Sequence, residues 1–125
     1  MSSSTWLLGA AFFTSAAAVA ADPGPLRQEF FVRGGFNGWG TEHQLQYQGD
    51  GLYAAEVLVG PGNHGFKIGS RDWSQEWVLD SGRSVRVQPD QALRLETQAG
   101  PEDYLFVRST ATYRFTVDAR NPAAP

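Results

Sequence analysis

The chain contains no cysteine and only two histidines among its 125 residues. A protein without cysteine cannot form disulfide bonds, so its fold has to be held by packing alone. The absence also excludes cysteine-ligated metal sites. The two histidines, His43 and His64, fall in separate predicted loops. We therefore expect neither a metal site nor any other cofactor.

Positive charge is scarce and dispersed. The ten Lys and Arg residues are spread along the chain, and the formal net charge at pH 7 is -3. A protein that binds a phosphate backbone needs clustered positive side chains. Nucleic acid is therefore not an expected partner.

Long apolar runs are missing apart from one at the N-terminus. Residues 1–21, MSSSTWLLGAAFFTSAAAVAA, carry no charged side chain and end in small residues that a signal peptidase could cut after. This pattern predicts a secretory signal peptide, although its first residues lack Lys or Arg. An uncleaved membrane anchor is the alternative, but the run falls short of about 18 strongly apolar residues. We expect a secreted or periplasmic protein without a membrane anchor after cleavage.

Amphipathic helices of about ten or more residues are also absent from the sequence pattern after residue 21. Short segments of alternating or β-branched and aromatic residues occur instead, separated by turn sequences such as Gly49-Asp50-Gly51. The predicted strands are 29–36, 52–59, 65–70, 84–88, 92–97, 103–108 and 112–118. Such spacing predicts an all-β, immunoglobulin-like antiparallel β-sandwich over residues 28–120, between a linker at 22–27 and a linker-like tail at 121–125.

The alternation also predicts which side chains face inward. In the strand at 65–70, Phe66 and Ile68 point to the core, which leaves Lys67 on an outer face. The core is well supplied with apolar residues and does not require every tryptophan. Trp39 and Trp73 lie in turn-like polar segments, where each ring is either exposed or folded back over one open end of the sandwich. Trp77 precedes Val78 and Leu79, which favours burial.

The segments FFVRGGFNGWG, GDGLYAAEVLV, GPGNHGFKIGS and RDW, in that order, resemble a family of starch- and glycogen-binding modules. This family occurs in the β subunit of AMP-activated protein kinase and beside the catalytic barrels of isoamylases, pullulanases and branching enzymes. The tail DYLFVRSTATYRFTVDARNP is similar to the closing strands of the variant in bacterial pullulanases and amylases. The resemblance implies an early-set immunoglobulin-like sandwich that binds α-1,4-glucan.

The resemblance also implies a set of carbohydrate-binding residues. Trp39 and Trp73 correspond to the stacking platforms, and Lys67 corresponds to the donor to sugar hydroxyls. The short spacing from Lys67 to Trp73 leaves Trp77 as an alternative second platform. The remaining candidates are Asn37, in the F-N-x-W motif, and Asp103, which stands where the family usually has an asparagine. An ionised Asp103 accepts hydrogen bonds but does not donate them, which departs from the asparagine of the family.

Catalysis is less consistent with the sequence. Asp72, Glu76 and Asp80 supply carboxylates near the predicted sugar site, as glycoside hydrolysis would need, but solvated loop acids explain them more simply. A G-x-S-x-G nucleophile motif is missing. We expect a non-catalytic module that binds starch, glycogen or maltooligosaccharides and targets an attached or associated amylolytic enzyme. The alternatives are a protein docking module that uses the same aromatic surface and a fragment of a pullulanase- or amylase-type hydrolase.

Overall fold

The computed structural model describes Asp22 and residues 24–125, so the predicted signal peptide lies outside the described residues. Eight strands form this part of the chain: β1 (Phe30–Gly34), β2 (Gln46–Gly49), β3 (Leu52–Val59), β4 (Gly62–Ser70), β5 (Glu76–Trp77), β6 (Arg86–Val87), β7 (Asp103–Val107) and β8 (Ala111–Asp118). One turn of 3-10 helix, Gly35–Asn37, follows β1. Within these described residues, none of the helical structure is long and apolar enough to span a bilayer.

The strands form two sheets, so the domain is a β-sandwich. One sheet has the order β1-β4-β7-β6, with β5 also paired to β4, and the other has the order β2-β3-β8. Strand β4 is the centre of the larger sheet because it pairs with β1 on one edge and with both β5 and β7 on the other. All pairs are antiparallel except β6 with β7.

Inward-facing residues of both sheets form the core, as the alternation predicts. Val32 and Ile68 from the larger sheet and Val57 and Val59 from the smaller one are almost completely buried. Lys67 lies between two of the buried residues of β4 and points to the outer face. The predicted orientation of β4 is confirmed.

The hairpin predicted at Gly49-Asp50-Gly51 is confirmed. It joins β2 to β3, and all three of its residues have positive φ, with Asp50 at 53°. Glycine adopts such angles without a steric penalty, and aspartate is one of the side chains that tolerates them best. The turn chemistry thus explains the tight reversal.

The strand predicted at 92–97 is wrong. Only Glu96 forms a bridge there, to Val78, and the Leu93 side chain is 40% exposed. The pairing cannot extend because the partner segment turns away at Asp80, whose carboxylate accepts a hydrogen bond from the Gly82 amide. The predicted strand at 84–88 shortens to β6, and its parallel pairing with β7 departs from the expected purely antiparallel sandwich.

Candidate binding site

Two loops on the outer face of the larger sheet bring Trp39 and Trp73 together. Trp39 follows the 3-10 turn after β1, and Trp73 lies in the turn after β4. Both side chains are half-buried. Their ring centroids are 6.2 Å apart and the planes are inclined by 50°. The structure therefore places these two sequence-predicted residues side by side.

Both tryptophans have an unusual backbone conformation. The φ angle is 60° at Trp39 and 62° at Trp73, in the left-handed region that bulky side chains seldom occupy. Only four non-glycine residues of the described chain have positive φ, and two of them are these tryptophans. Such conformations cost on the order of 1–3 kcal/mol each and persist where the surrounding structure enforces them. The contacts around each loop therefore hold the indoles in a defined orientation.

The indole of Trp73 rests on the sheet. A Cβ atom added to Gly69 would lie 2.5 Å from Cζ3 of the indole, so the ring packs directly against the glycine. The guanidinium carbon of Arg33 lies 3.9 Å from the ring centroid. Residues Arg33 and Gly69 belong to the same outer face, because Arg33 pairs with Lys67 and Phe31 pairs with Gly69. The sheet thus supports the indole, which stays half-buried in this position.

Alanine in place of Gly69 is expected to displace the Trp73 indole. The added methyl group would overlap the ring, whereas the backbone of Gly69 is not in the positive-φ region and accepts alanine. We expect the indole N–H cross-peak of Trp73 to move in the NMR spectrum, with a change in unfolding free energy of about 1 kcal/mol or less. Gly35→Ala is the control, since its Cβ would contact nothing within 4 Å. An unchanged Trp73 cross-peak in Gly69→Ala would contradict the placement of the ring.

Arg33 connects the two loops. It is only 7% exposed, and burial lowers the pKa of its guanidinium, an effect that the charge of Arg71 increases. Its Nε and Nη2 donate to the carbonyl oxygen of Trp39 at 2.8 and 2.6 Å. Its Nη1 donates to the carbonyl oxygens of Ser70 at 2.8 Å and Arg71 at 3.0 Å. A single side chain thus bonds to the backbone of both tryptophan-bearing loops.

Lys67 and Glu76 form a charged pair beside Trp73. Lys67 Nζ lies 2.8 Å from Glu76 Oε1 and 5.8 Å from the centroid of the Trp73 ring. The side chains are 19% and 16% exposed. The pair offers a cationic donor and an anionic acceptor next to an aromatic surface, which suits a ligand that carries both hydroxyl donors and hydroxyl acceptors.

Asn37 lies in the 3-10 turn and stabilises it. Its Oδ1 accepts a hydrogen bond from the Gly34 amide at 3.0 Å, and its Nδ2 donates to the Val32 carbonyl at 2.8 Å. The same nitrogen lies 3.0 Å from Nδ1 of His43. The amide is therefore occupied by the protein, and Asn37 orients the loop that carries Trp39 instead of presenting a free group to a ligand.

Two other predicted site residues belong to the interior. Trp77 is 4% exposed and stacks on Phe30 with centroids 4.1 Å apart, so it has no free face for a ligand and is not an alternative platform. Asp103 is 1% exposed and accepts hydrogen bonds from the amides of Leu79 and Val85, both at 3.0 Å. Burial raises the pKa of Asp103 above its ordinary value, although these two amides oppose the shift. Neither residue joins the site.

The acidic residues near the site do not have the environment of a general acid. Asp72 accepts hydrogen bonds from the Ser74 amide and the Ser70 hydroxyl, and contacts with Ser74 are the main cause of its lowered pKa. The Gly82 amide chiefly lowers the pKa of Asp80. A general acid needs a pKa raised toward the working pH. The third acidic residue, Glu76, forms an ion pair with Lys67.

Among residues 22 and 24–125, no group of three metal-ligating side chains is gathered.

Comparison with known proteins gives one informative result. No family model matches the chain, and no curated protein does. Among solved structures, the ligand-induced structure of AmyP-SBD, a starch-binding domain, is similar with a TM-score of 0.56. The sequences are 16% identical, and the match covers 96% of this chain and 93% of that one. The two chains share a fold. At this identity, the likeness concerns the sandwich and does not by itself transfer a ligand.

Sequence reasoning missed three residues of the site. Arg33 and Gly69 lie on the same face as Lys67, and the alternation in β1 and β4 could have placed them there. The sequence indicates Glu76 only as a candidate catalytic carboxylate, whereas the structure places it in an ion pair with Lys67. The contacts of Arg33 with two distant loops leave no signal in the local sequence.

Proposed function

We propose that this domain binds α-1,4-linked glucan without catalysis, using Trp39 and Trp73 as stacking platforms. The observation that carries the proposal is the pair of half-buried indoles on two adjacent loops, with centroids 6.2 Å apart. A pyranose ring has an apolar face of C–H groups that an indole can cover. Its hydroxyl groups project from the rim and stay in water or meet polar side chains.

The inclination of the two rings supports a curved ligand. Planes that differ by 50° cannot both lie flat against one straight, ribbon-like chain. An α-1,4-glucan coils, so successive sugar rings change direction, whereas a β-1,4-glucan is extended and flat. The geometry therefore favours starch, glycogen or maltooligosaccharides over cellulose-like chains.

The Lys67 and Glu76 pair supplies the polar part of the proposed site. Because Lys67 Nζ lies close to the Trp73 ring, a sugar stacked on the indole would bring a hydroxyl oxygen toward the ammonium group. Glu76 would accept from a neighbouring hydroxyl. The two side chains already neutralise each other at 2.8 Å, so the site holds this pair in place before a ligand arrives.

The expected affinity is modest. Covering about 100 Å² of apolar sugar surface contributes on the order of 2.5 kcal/mol per indole at about 25 cal/mol per Å². Two platforms give about 5 kcal/mol, part of which is lost in ordering the sugar, so we expect dissociation constants between about 1 μM and 1 mM. Such a module would act by repeated engagement of a polymer that raises local concentration.

The likeness to a starch-binding domain over nearly its whole length supports this function and an early-set immunoglobulin-like type of sandwich. We propose further that residues 1–21 are a signal peptide and that the protein acts outside the cytoplasm. An amylolytic enzyme, attached or separate, would be the partner that benefits from anchoring on the polymer.

Affinity electrophoresis tests the proposal. The full chain should migrate more slowly in native gels that contain glycogen or amylose, and added maltoheptaose should restore its mobility. Gels that contain hydroxyethylcellulose serve as the control and should have no effect. Equal mobility in all gels would reject glucan binding and would favour the alternative that the two tryptophans dock on a protein.

A further inference from the structure

Arg33 is a buried arginine whose contacts extend to both loops of the candidate site. Its guanidinium makes four hydrogen bonds to three backbone carbonyl groups and lies under the Trp73 ring. The three carbonyl groups belong to Trp39, in the loop after β1, to Ser70, the last residue of β4, and to Arg71, in the turn that follows β4. These are the two segments that carry the indoles.

We propose that Arg33 is a positioning residue that couples the two platforms and fixes their mutual inclination. The proposal rests on the function proposed above and adds the device by which the two indoles form one site. In this view, Arg33 does not contact the glucan. It holds two independent loops in the arrangement that a curved chain requires.

The backbone conformation explains why such a device is needed. Trp39 and Trp73 both have positive φ, which costs free energy for a bulky residue. Arg33 donates hydrogen bonds to the carbonyl groups of Trp39 and Ser70. The Ser70 carbonyl also accepts a hydrogen bond from the Trp73 amide at 3.2 Å. The guanidinium therefore bonds to the carbonyl group of Trp39 and to the carbonyl group that closes the turn containing Trp73.

Only an arginine matches this role. The planar guanidinium has five N–H donors in fixed directions, and here it reaches carbonyl groups on two sides while its face lies against an indole. A lysine at the same position would keep the positive charge, but its compact ammonium group could not reach both loops and stack at once. Arg71 also reaches the Trp39 loop, through a 3.4 Å hydrogen bond to Thr41 Oγ1. It does not duplicate Arg33, because its side chain is 62% exposed, lies over Phe31 and pairs with Glu29.

The orientation of the two indoles can be read directly, without a ligand. Two indoles at 6.2 Å and 50° couple electronically, so we expect the full chain to give an exciton couplet in its far-ultraviolet circular dichroism. Trp39→Phe and Trp73→Phe should each remove the couplet and thereby assign it. Arg33→Met should remove it although both indoles remain, and Arg33→Lys should not restore it.

Ligand length gives the second readout. In Arg33→Met, the affinity for maltoheptaose, which spans both platforms, should fall about tenfold or more relative to the affinity for maltose, which covers one. Arg114→Met is the matched control, since Arg114 pairs with Glu56 on the other sheet and should change neither readout. If the wild type gives the couplet but binds no glucan, the proposed function is rejected. The effect of Arg33→Met on the couplet then decides by itself whether Arg33 positions the two indoles.

The remaining outcomes contradict the proposal. An Arg33→Met variant that folds and keeps the couplet at full amplitude would show that the loops do not depend on Arg33. Restoration of both readouts by Arg33→Lys would assign the role to charge instead of the guanidinium shape. If neither variant folds, Arg33 supports the sandwich as a whole, and a role limited to the two platforms is wrong.

Discussion

Replacing Trp73 with alanine is expected to abolish retention on glycogen or amylose while the domain stays folded. The indole contributes on the order of 2.5 kcal/mol to stacking, which corresponds to a loss of roughly 60-fold in affinity. The ring is half-buried and lies on the outer face of the sheet, outside the main core. We therefore expect the unfolding free energy to change by about 1 kcal/mol, as measured by urea denaturation.

Trp39→Ala should weaken binding in the same way, and the double variant should not bind detectably. The matched control is Leu58→Ala, which removes an exposed apolar side chain from the outer face of the other sheet. It should bind like the wild type. Full retention by a folded Trp73→Ala variant would contradict the stacking site.

Replacing Trp77 with alanine is expected to destabilise the domain without removing the binding site. Trp77 is 4% exposed and stacks on Phe30 in the core, so its removal leaves a large cavity. Loss of a buried tryptophan costs about 3–5 kcal/mol, which is a large part of the stability of a domain of this size. Denaturation monitored by circular dichroism should show a strongly lowered midpoint or the absence of a cooperative transition.

Trp77→Phe is the control, because it keeps an aromatic ring against Phe30 and should recover part of the stability. The folded fraction of Trp77→Ala should still bind glucan, since the platforms lie on the other side of the sheet. A Trp77→Ala variant with unchanged stability and lost binding would mean that Trp77, and not Trp73, is the second platform.

Local patterns were sufficient for much of this fold. The alternation in β4 predicts that Phe66 and Ile68 are buried and that Lys67 faces outward, because side chains on successive positions of a strand point to opposite faces. The glycines on either side of Asp50 predict the turn there, and the structure has it. The strand at 92–97 could not be judged in this way, because strand formation there depends on the length of the partner segment, which turns away at Asp80.

The site was predicted only in part for a similar reason. Trp39, Trp73 and Lys67 stand in a recognisable order, and the structure brings them together. Asp103 and Asn37 are polar residues that satisfy distant or local backbone groups, and their side chains look like ligand-binding groups until those partners are known. The hydrogen bonds of Asp103 join residues that are distant in the sequence, so the tertiary fold sets them and residue spacing does not encode them.

The central claim is that Trp39 and Trp73 together form an α-glucan platform. A titration of the full chain with maltoheptaose, followed through the indole N–H cross-peaks in the NMR spectrum, tests it most directly. The account predicts that the Trp39 and Trp73 cross-peaks shift together, with one dissociation constant between about 1 μM and 1 mM, while Trp77 stays in place. Cross-peaks of Trp39 and Trp73 that remain unmoved at millimolar maltoheptaose would contradict it.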